Sequence, residues 1–381
     1  MGPPDADAVA KGTTWLTEDS MSMIAGDGIE VIIDATGSPP AGIAHARAAF
    51  KAGKHVVMVN VEADALVGPM LAREAEAAGV VYSLAYGDQP ALIAEMVDWA
   101  RASGFEVTAA GKGTKYLPVY HASTPDTVWG HYGFTEEQVA GGDFNPQMFN
   151  SFLDGTKSAL EMAAVANACD LTPPPAGLAF PPCGVDDLPT LLRPESAGGI
   201  LPVDGTVEVV SSLERDGRPV FRDLRWGVYA TFEAPSDYVR KCFSEYGLRT
   251  DPSGRYSAMY KPYHLIGLEL GISVASVGLR GESTGTATGF RGDVVATAKR
   301  DLKSGETLGA MLLSEINIAY YQHLTRDMRQ AIAAGTYRFG VINTPEAVAS
   351  VASDAKLLGE ADILAMDLRA RSEEHTSELQ S

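Results

Sequence analysis

Cysteine is scarce: Cys169, Cys183 and Cys242 are the only three in a chain of 381 residues. They are widely spaced, form no CxxC pair and have no nearby histidine to complete a zinc site, so the chain fits a reducing compartment. Long apolar runs are missing as well. None approaches the ~20 residues of a membrane-spanning helix, and the start of the chain has no basic segment followed by a hydrophobic one. A cytoplasmic location with no membrane partner is the expectation. Positive charge is the third deficit: 30 Lys and Arg stand against 49 Asp and Glu, a formal charge of −19. Such a surface repels phosphate backbones, which argues against nucleic acid as a partner. An anionic small-molecule substrate then needs a local basic pocket. A motif is absent too: no GxGxxG occurs anywhere, and no strand-like run precedes residue 30 to carry one.

What is present between residues 30 and 104 is an alternation. Val31-Ile32-Ile33, a helix through His45 and Phe50, His55 to Val59, a helix through Leu71 and Ala78, Val80 to Leu84, and a helix from Pro90 to Ala102 follow one another. That order specifies an α/β fold with a parallel sheet, and Gly53 and Gly79 each stand where a helix should stop. From Phe105 the pattern turns mixed. A strand over Glu106–Ala110, one strong helix from about Pro146 to Cys169, a proline-rich stretch over 171–202, strands at Val207–Ser211 and Trp226–Phe232, and a helix over Tyr263–Val274 read as a second, α+β domain. A further strand is expected from Asp293 to Thr297.

Ligands of open parallel sheets bind beyond the carboxyl ends of the strands. Those ends carry Asp34-Ala35-Thr36-Gly37-Ser38, Asn60-Val61-Glu62 and Gly87-Asp88-Gln89-Pro90. Gly37 and Ser38 would let a nicotinamide ribose lie against the backbone, although each segment also suits an ordinary strand-to-helix turn. Gly111-Lys112-Gly113-Thr114-Lys115 lacks the spacing of a phosphate loop and reads as a basic turn. Its Lys112 and Lys115 form either an anion pocket or a solvated pair. The helix after Pro146 places Asn150, Asp154, Lys157 and Glu161 at spacings of four, three and four, on one face. That stripe is either solvent-exposed or functional, with Lys157 as proton donor to a carbonyl becoming an alcohol and Asp154 holding it in place. His264, at the head of an apolar helix, suits a structural role better than a catalytic one. No metal ligand set can be read from spacing.

Taken together, the runs Asp34 to Pro39, Gly53 to Asp64, Tyr86 to Pro90, Gly111 to Tyr116, Asn145 to Phe152 and Tyr260 to Leu265 resemble homoserine-dehydrogenase-like oxidoreductases with a C-terminal SAF domain, a group that includes deoxyxylulose-phosphate-reductoisomerase-like enzymes. The resemblance implies an incomplete Rossmann-like domain (1–104), an α+β catalytic and dimerisation domain (105–290), a truncated SAF-like start (291–307) and a homodimer when intact. It implies NADP or NAD as cofactor at Ala35, Thr36, Gly37, Ser38, Asn60, Glu62, Gly87, Asp88, Gln89 and Pro90. A divalent metal would suit a ketose rearrangement. The activity implied is reduction of a small phosphorylated or carboxylated carbonyl compound, its anion held by Lys112, Lys115 and Arg280, with Lys157 and Asp154 supplying the proton. Homoserine-dehydrogenase-type activity and an inactive truncated or chimeric product are the alternatives, since such relatives begin with a strand and glycine-rich turn. Residues 308–338 resemble the C-terminus of a tRNA-guanine transglycosylase within a helical stretch (308–340); 341–370 are unassigned, and 371–381 look like translated adapter sequence.

Overall fold

The computed structural model describes residues 16–142 and 144–294, together with Gly12, Thr14 and Lys299. A short helix α1 (Ser20–Ala25), capped by Asp19, leads into strand β1 (Val31–Asp34), helix α2 (Pro39–Lys51), β2 (His55–Met58), α3 (Val61–Ala77), β3 (Tyr82–Leu84) and α4 (Gln89–Ala102). The three strands form a parallel sheet in the order β1-β2-β3, with Val31 opposite His55 and Val56 opposite Tyr82. The α/β alternation of the sequence is thus borne out. Ile43, Ala46, Ala49 and Phe50 recur at helical spacing on α2 and pack with Ile32, Val56, Met58, Leu71 and Ala75. Burial of each large side chain contributes about 1.5–3 kcal/mol.

The second part holds β4 (Glu106–Thr114), α5 (Val128–Tyr132), α6 (Glu136–Gly141), α7 (Pro146–Leu153), α8 (Thr156–Cys169), α9 (Leu188–Leu191), β5 (Thr206–Ser211), β6 (Val228–Glu233), α10 (Asp237–Glu245), β7 (Tyr256–Lys261) and α11 (Leu270–Ala275). Its mixed sheet runs β5-β4-β6-β7, with β4 parallel to β5 and antiparallel to β6. Leu92, Ile93, Met96 and Val97 of α4 and Met162, Val165 and Ala166 of α8 bury against Val207, Val209, Val228 and Ala230. Helix α8 also packs along α3, so it lies between the two sheets with its first turns at the strand ends of the parallel one.

Three expectations need correction. The Gly111–Lys115 run is not a turn: residues 111–114 continue β4, paired on both sides. Its glycines allow that closeness, because a Cβ on Gly111 would sit 1.7 Å from the Glu208 carbonyl oxygen and one on Gly113 1.8 Å from that of Leu224. The helix expected from Pro146 to Cys169 is two. Gly155, at φ +93°, breaks it after Asp154, a conformation glycine adopts without the Cβ penalty. His264 does not head a helix either; α11 begins six residues later, at Leu270. The segments 295–298 and 300–381, which include most of the expected strand at 293–297 and the resemblances at 308–338 and 371–381, lie outside the described residues.

Candidate active site

The first strand end is a closed polar network. Asp34, 2% exposed, accepts hydrogen bonds from the Thr36 hydroxyl (2.9 Å) and the Asn60 amide (3.2 Å), and its second oxygen lies 2.7 Å from His45 Nδ1. Burial opposes its charge, but His45, Thr36 and Asn60 prevail and hold its pKa below the usual value. Asn60 caps α3 by accepting from the Ala63 N–H and donates to the Ser38 carbonyl at 2.8 Å. Its side chain is therefore a brace across the crevice. Ala35, Thr36 and Gly37 remain exposed, and no atom lies within 4 Å of where a Gly37 Cβ would stand. Helix α2 opens with Pro39 and Pro40, which have no N–H to offer a phosphate. That first turn therefore offers a phosphate no N–H from these two positions.

A different arrangement sits at the other two strand ends. Asp88 caps α4, accepting from the Gln89 N–H at 2.9 Å, and lines a small cleft with Met58, Val61, Leu84, Ala85, Pro90 and Ala91. Lys157 and Glu161, one turn apart on α8, face it; Lys157 donates to Glu62 on the first turn of α3 at 3.0 Å, and Lys112 of β4 donates to Glu161. Burial first and the Glu161 charge second push the Asp88 pKa up to about 7, against Lys157, the Gln89 N–H and Lys112. Burial disfavours the Lys157 charge, yet Glu161, Glu62 and Asp88 outweigh it and raise its pKa above the ordinary value. Lys157 stays protonated in a site where a neighbouring carboxyl titrates at neutral pH. Asp88, with its pKa near neutrality, is the group of this cluster poised for proton exchange.

The structure brings together Lys157, Lys112, Glu62 and Asp88 of the residues singled out from the sequence. Asp154 ends the preceding helix, where its oxygens accept from the Thr156 N–H (3.0 Å) and the Asn150 amide (2.9 Å), rather than sharing the Lys157 helix face. Lys112 is committed to Glu161, Lys115 donates to the His131 carbonyl at 2.9 Å, and Arg280 is exposed beside Glu282, so these three cations do not converge on one anion pocket. Gly87 is roofed by the loop before α11: a Cβ there would meet the Leu265 carbonyl oxygen at 2.8 Å. Gln89 contacts His264 Nε2 at 3.1 Å, and Pro90 is buried. Sequence reasoning missed Glu161 as a site residue, although its i,i+4 relation to Lys157 was visible. Among the described residues no group of three or more His, Cys, Asp or Glu is arranged to hold a metal ion, and no helix is long and apolar enough to cross a membrane.

With this geometry in place, similarity to known proteins can be set beside it. Residues 87–270, which carry Asp88, Lys112, Lys157 and Glu161, match the family described as oxidoreductase DRL, catalytic domain. The match covers just under half of the chain, and the fold around it is mixed α/β. A stretch of 45 residues is 51% identical to queuine tRNA-ribosyltransferase of Brucella suis, covering 12% of this chain and 12% of that protein; the Brucella melitensis protein matches equally. The chain thus spans about an eighth of the length of the curated relatives it matches. Among solved structures, a probable dehydrogenase from Thermotoga maritima is 14% identical over 73% of this chain and 80% of its own, with a TM-score of 0.31. An NAD-binding protein from Listeria innocua is 20% identical over 29% and 32%, with a TM-score of 0.19.

Proposed function

We propose that the protein transfers hydride between a nicotinamide cofactor and the carbonyl–alcohol pair of a small substrate, with Lys157 as the proton donor. The observation that carries this reading is a protonated lysine held between Glu62, Glu161 and a neutral-pH carboxyl at the carboxyl ends of a parallel sheet. When bound, the nicotinamide supplies the hydride. Ala35, Thr36, Gly37 and Ser38 would receive its ring and ribose, and Asn60 would keep that turn rigid. Lys157 Nζ donates to the carbonyl oxygen and gives up a proton as the oxygen becomes an alcohol; the reverse direction returns it. Glu62 aims the ammonium group, and Glu161 fixes Lys112 behind it.

The finer reading is reduction of a phosphorylated ketose, as in deoxyxylulose-phosphate reductoisomerases; the described residues offer no ligand set for the divalent metal that a rearrangement would use. It is supported by the sequence resemblance together with the match to an oxidoreductase catalytic domain. A homoserine-dehydrogenase-type reaction is the second reading. The specific feature in its favour is the surplus of carboxylates, three against two lysines around Asp88, which suits a substrate with an ammonium group. Calorimetric titration of NADPH and NADH into the full chain tests the common ground, with saturable binding of one expected; binding of neither removes the oxidoreductase mechanism written here. Cofactor oxidation assayed with the sugar phosphate and with the semialdehyde of homoserine then separates the two readings.

A further inference from the structure

The pairing of cations is uneven in this acidic chain. Most lysines and arginines of the described residues that lie near the second sheet face a carboxylate: Lys112 faces Glu161, Arg193 Asp251, Arg222 Asp186 and Lys261 Glu269. Lys115 and Arg225 are exceptions. Among the described residues neither has a carboxylate within ion-pair distance, although both are half-buried. The fold forces them to one place. The backbone of Leu224 and Arg225 lies directly on Gly113, where a Cβ would stand 1.8 Å from the Leu224 carbonyl oxygen and 3.0 Å from the Arg225 nitrogen, and the Gly113 N–H donates to the Gly227 carbonyl at 2.9 Å. Lys115 follows two residues on, at the end of the same strand.

The surroundings suit an anion. Lys115 Nζ lies 5.5 Å from the Tyr120 ring centre and 5.7 Å from that of Tyr132, and one of its three N–H groups is engaged by the His131 carbonyl. The Arg225 guanidinium is steadied over the Trp226 ring at 4.6 Å, while Asp223 engages only its backbone N–H, at 2.8 Å. Burial first and the Arg225 charge second depress the Lys115 pKa, so the two cations repel each other in the free protein. The Arg225 charge also reaches Tyr120 and Tyr132, the two rings that Lys115 Nζ faces. Holding two like charges together without a counterion is unfavourable, and a bound anion relieves it.

We propose that Lys115 and Arg225, with Tyr120 and Tyr132 beside them, form a binding site for a phosphate monoester group. A carboxylate offers two oxygens; the two remaining Lys115 N–H groups and the Arg225 fork match the three terminal oxygens of a phosphate. Lys115 lies three residues from Lys112 along the chain, an odd spacing that directs the two side chains to opposite faces of β4, with Lys112 turned to Glu161 and Gly113 to Leu224. As an anion site it stands without the hydride-transfer reading.

Inorganic phosphate is the probe, titrated into the full chain by calorimetry, with acetate as the competing anion. The free protein should bind phosphate, and Lys115→Gln and Arg225→Gln should each weaken binding about tenfold or more, as expected for a charge-assisted hydrogen bond, while Lys241→Gln on exposed α10 leaves it unchanged. A second measurement needs no variant: in protein with 13C at the lysine Cε positions, followed by NMR, phosphate should raise the titration midpoint of Lys115. Absence of phosphate binding, equal binding by all variants, or an unmoved Lys115 midpoint overturns the proposal; acetate binding as tightly as phosphate overturns the phosphate assignment. Lys157→Ala separates this site from the reaction, since it removes turnover under the mechanism above and should leave phosphate binding intact.

Discussion

Two crevices at the same edge of one sheet treat their polar residues in opposite ways. At the end of β1, Asp34, Thr36 and Asn60 bond to one another, to His45 and to nearby backbone, and burial of the Asp34 charge is overcome by three hydrogen bonds. At the ends of β2 and β3, Asp88 accepts one backbone N–H and otherwise faces the charges of Glu161, Lys157 and Lys112, and burial pushes its pKa up to about 7. The first crevice is a scaffold with a fixed protonation state; the second holds a proton that is easily moved. A polar residue at a strand end is therefore not evidence of chemistry by itself. What distinguishes the two is whether its hydrogen-bonding capacity is exhausted by the fold.

The sharpest way to break this contrast is Lys157→Ala. Loss of a general acid lowers turnover by roughly 10²–10⁴-fold. Because the Lys157–Glu62 pair is partly exposed, the melting temperature should hardly move. Turnover within a few-fold of the parent, measured by cofactor oxidation, would remove Lys157 from the mechanism.

Stability against pH comes next. The Asp88 pKa is raised from 3.8 to about 7 in the folded protein, so between those values the folded state binds more protons than the unfolded one. Stability from this group is fully present below about 3.8 and falls as pH rises to about 7, by at most ~1.4 kcal/mol per pH unit. Asp64 and Glu208, also raised to about 7 by burial, act in the same direction. Asp88→Asn keeps a capping side chain at the head of α4 and should make the urea-unfolding free energy visibly less steep between pH 5 and 7. Asp34 has the opposite sign: its depressed pKa stabilises the fold above the unfolded value and is lost only as pH falls below that value. Asp34→Asn should therefore leave the slope between pH 5 and 7 unchanged, and a shared response of the two variants would erase the distinction.

How much of this was visible in the sequence differs between the regions for a physical reason. The β1–α4 alternation was legible because each strand and helix is a local pattern closed by glycine or proline; Glu62 and Asp88 were found because they sit at its joints, and Lys157 by helical spacing after Pro146. The Lys112–Glu161 pair joins residues 49 apart in the chain, and Gly111-Lys112-Gly113 reads as a turn until β5 and Leu224 press against it. The break at Gly155 was missed since helical spacing continues across it while the backbone does not. Arg225 had no local signal at all; only the packing of 224–225 on Gly113 brings it to Lys115.

Smaller effects test whether the first crevice is more than scaffold. Asn60→Ala removes a helix cap and a bond to the Ser38 carbonyl and should cost about 1–2 kcal/mol of stability, with turnover per folded molecule nearly intact. Gly37→Ala is the finest probe. At φ +65° with nothing within 4 Å of the new Cβ, the substitution meets no steric clash and costs only the left-handed backbone preference, about 1 kcal/mol. A methyl group placed there projects into the space assigned to the nicotinamide ribose. Affinity for NADPH or NADH, measured on the folded fraction, should therefore fall by more than the stability loss explains, and lactate or phosphate controls should not follow it. Unchanged cofactor affinity in Gly37→Ala would confine the whole of the chemistry to the Asp88–Lys157 end of the sheet and leave the β1 crevice as scaffold alone.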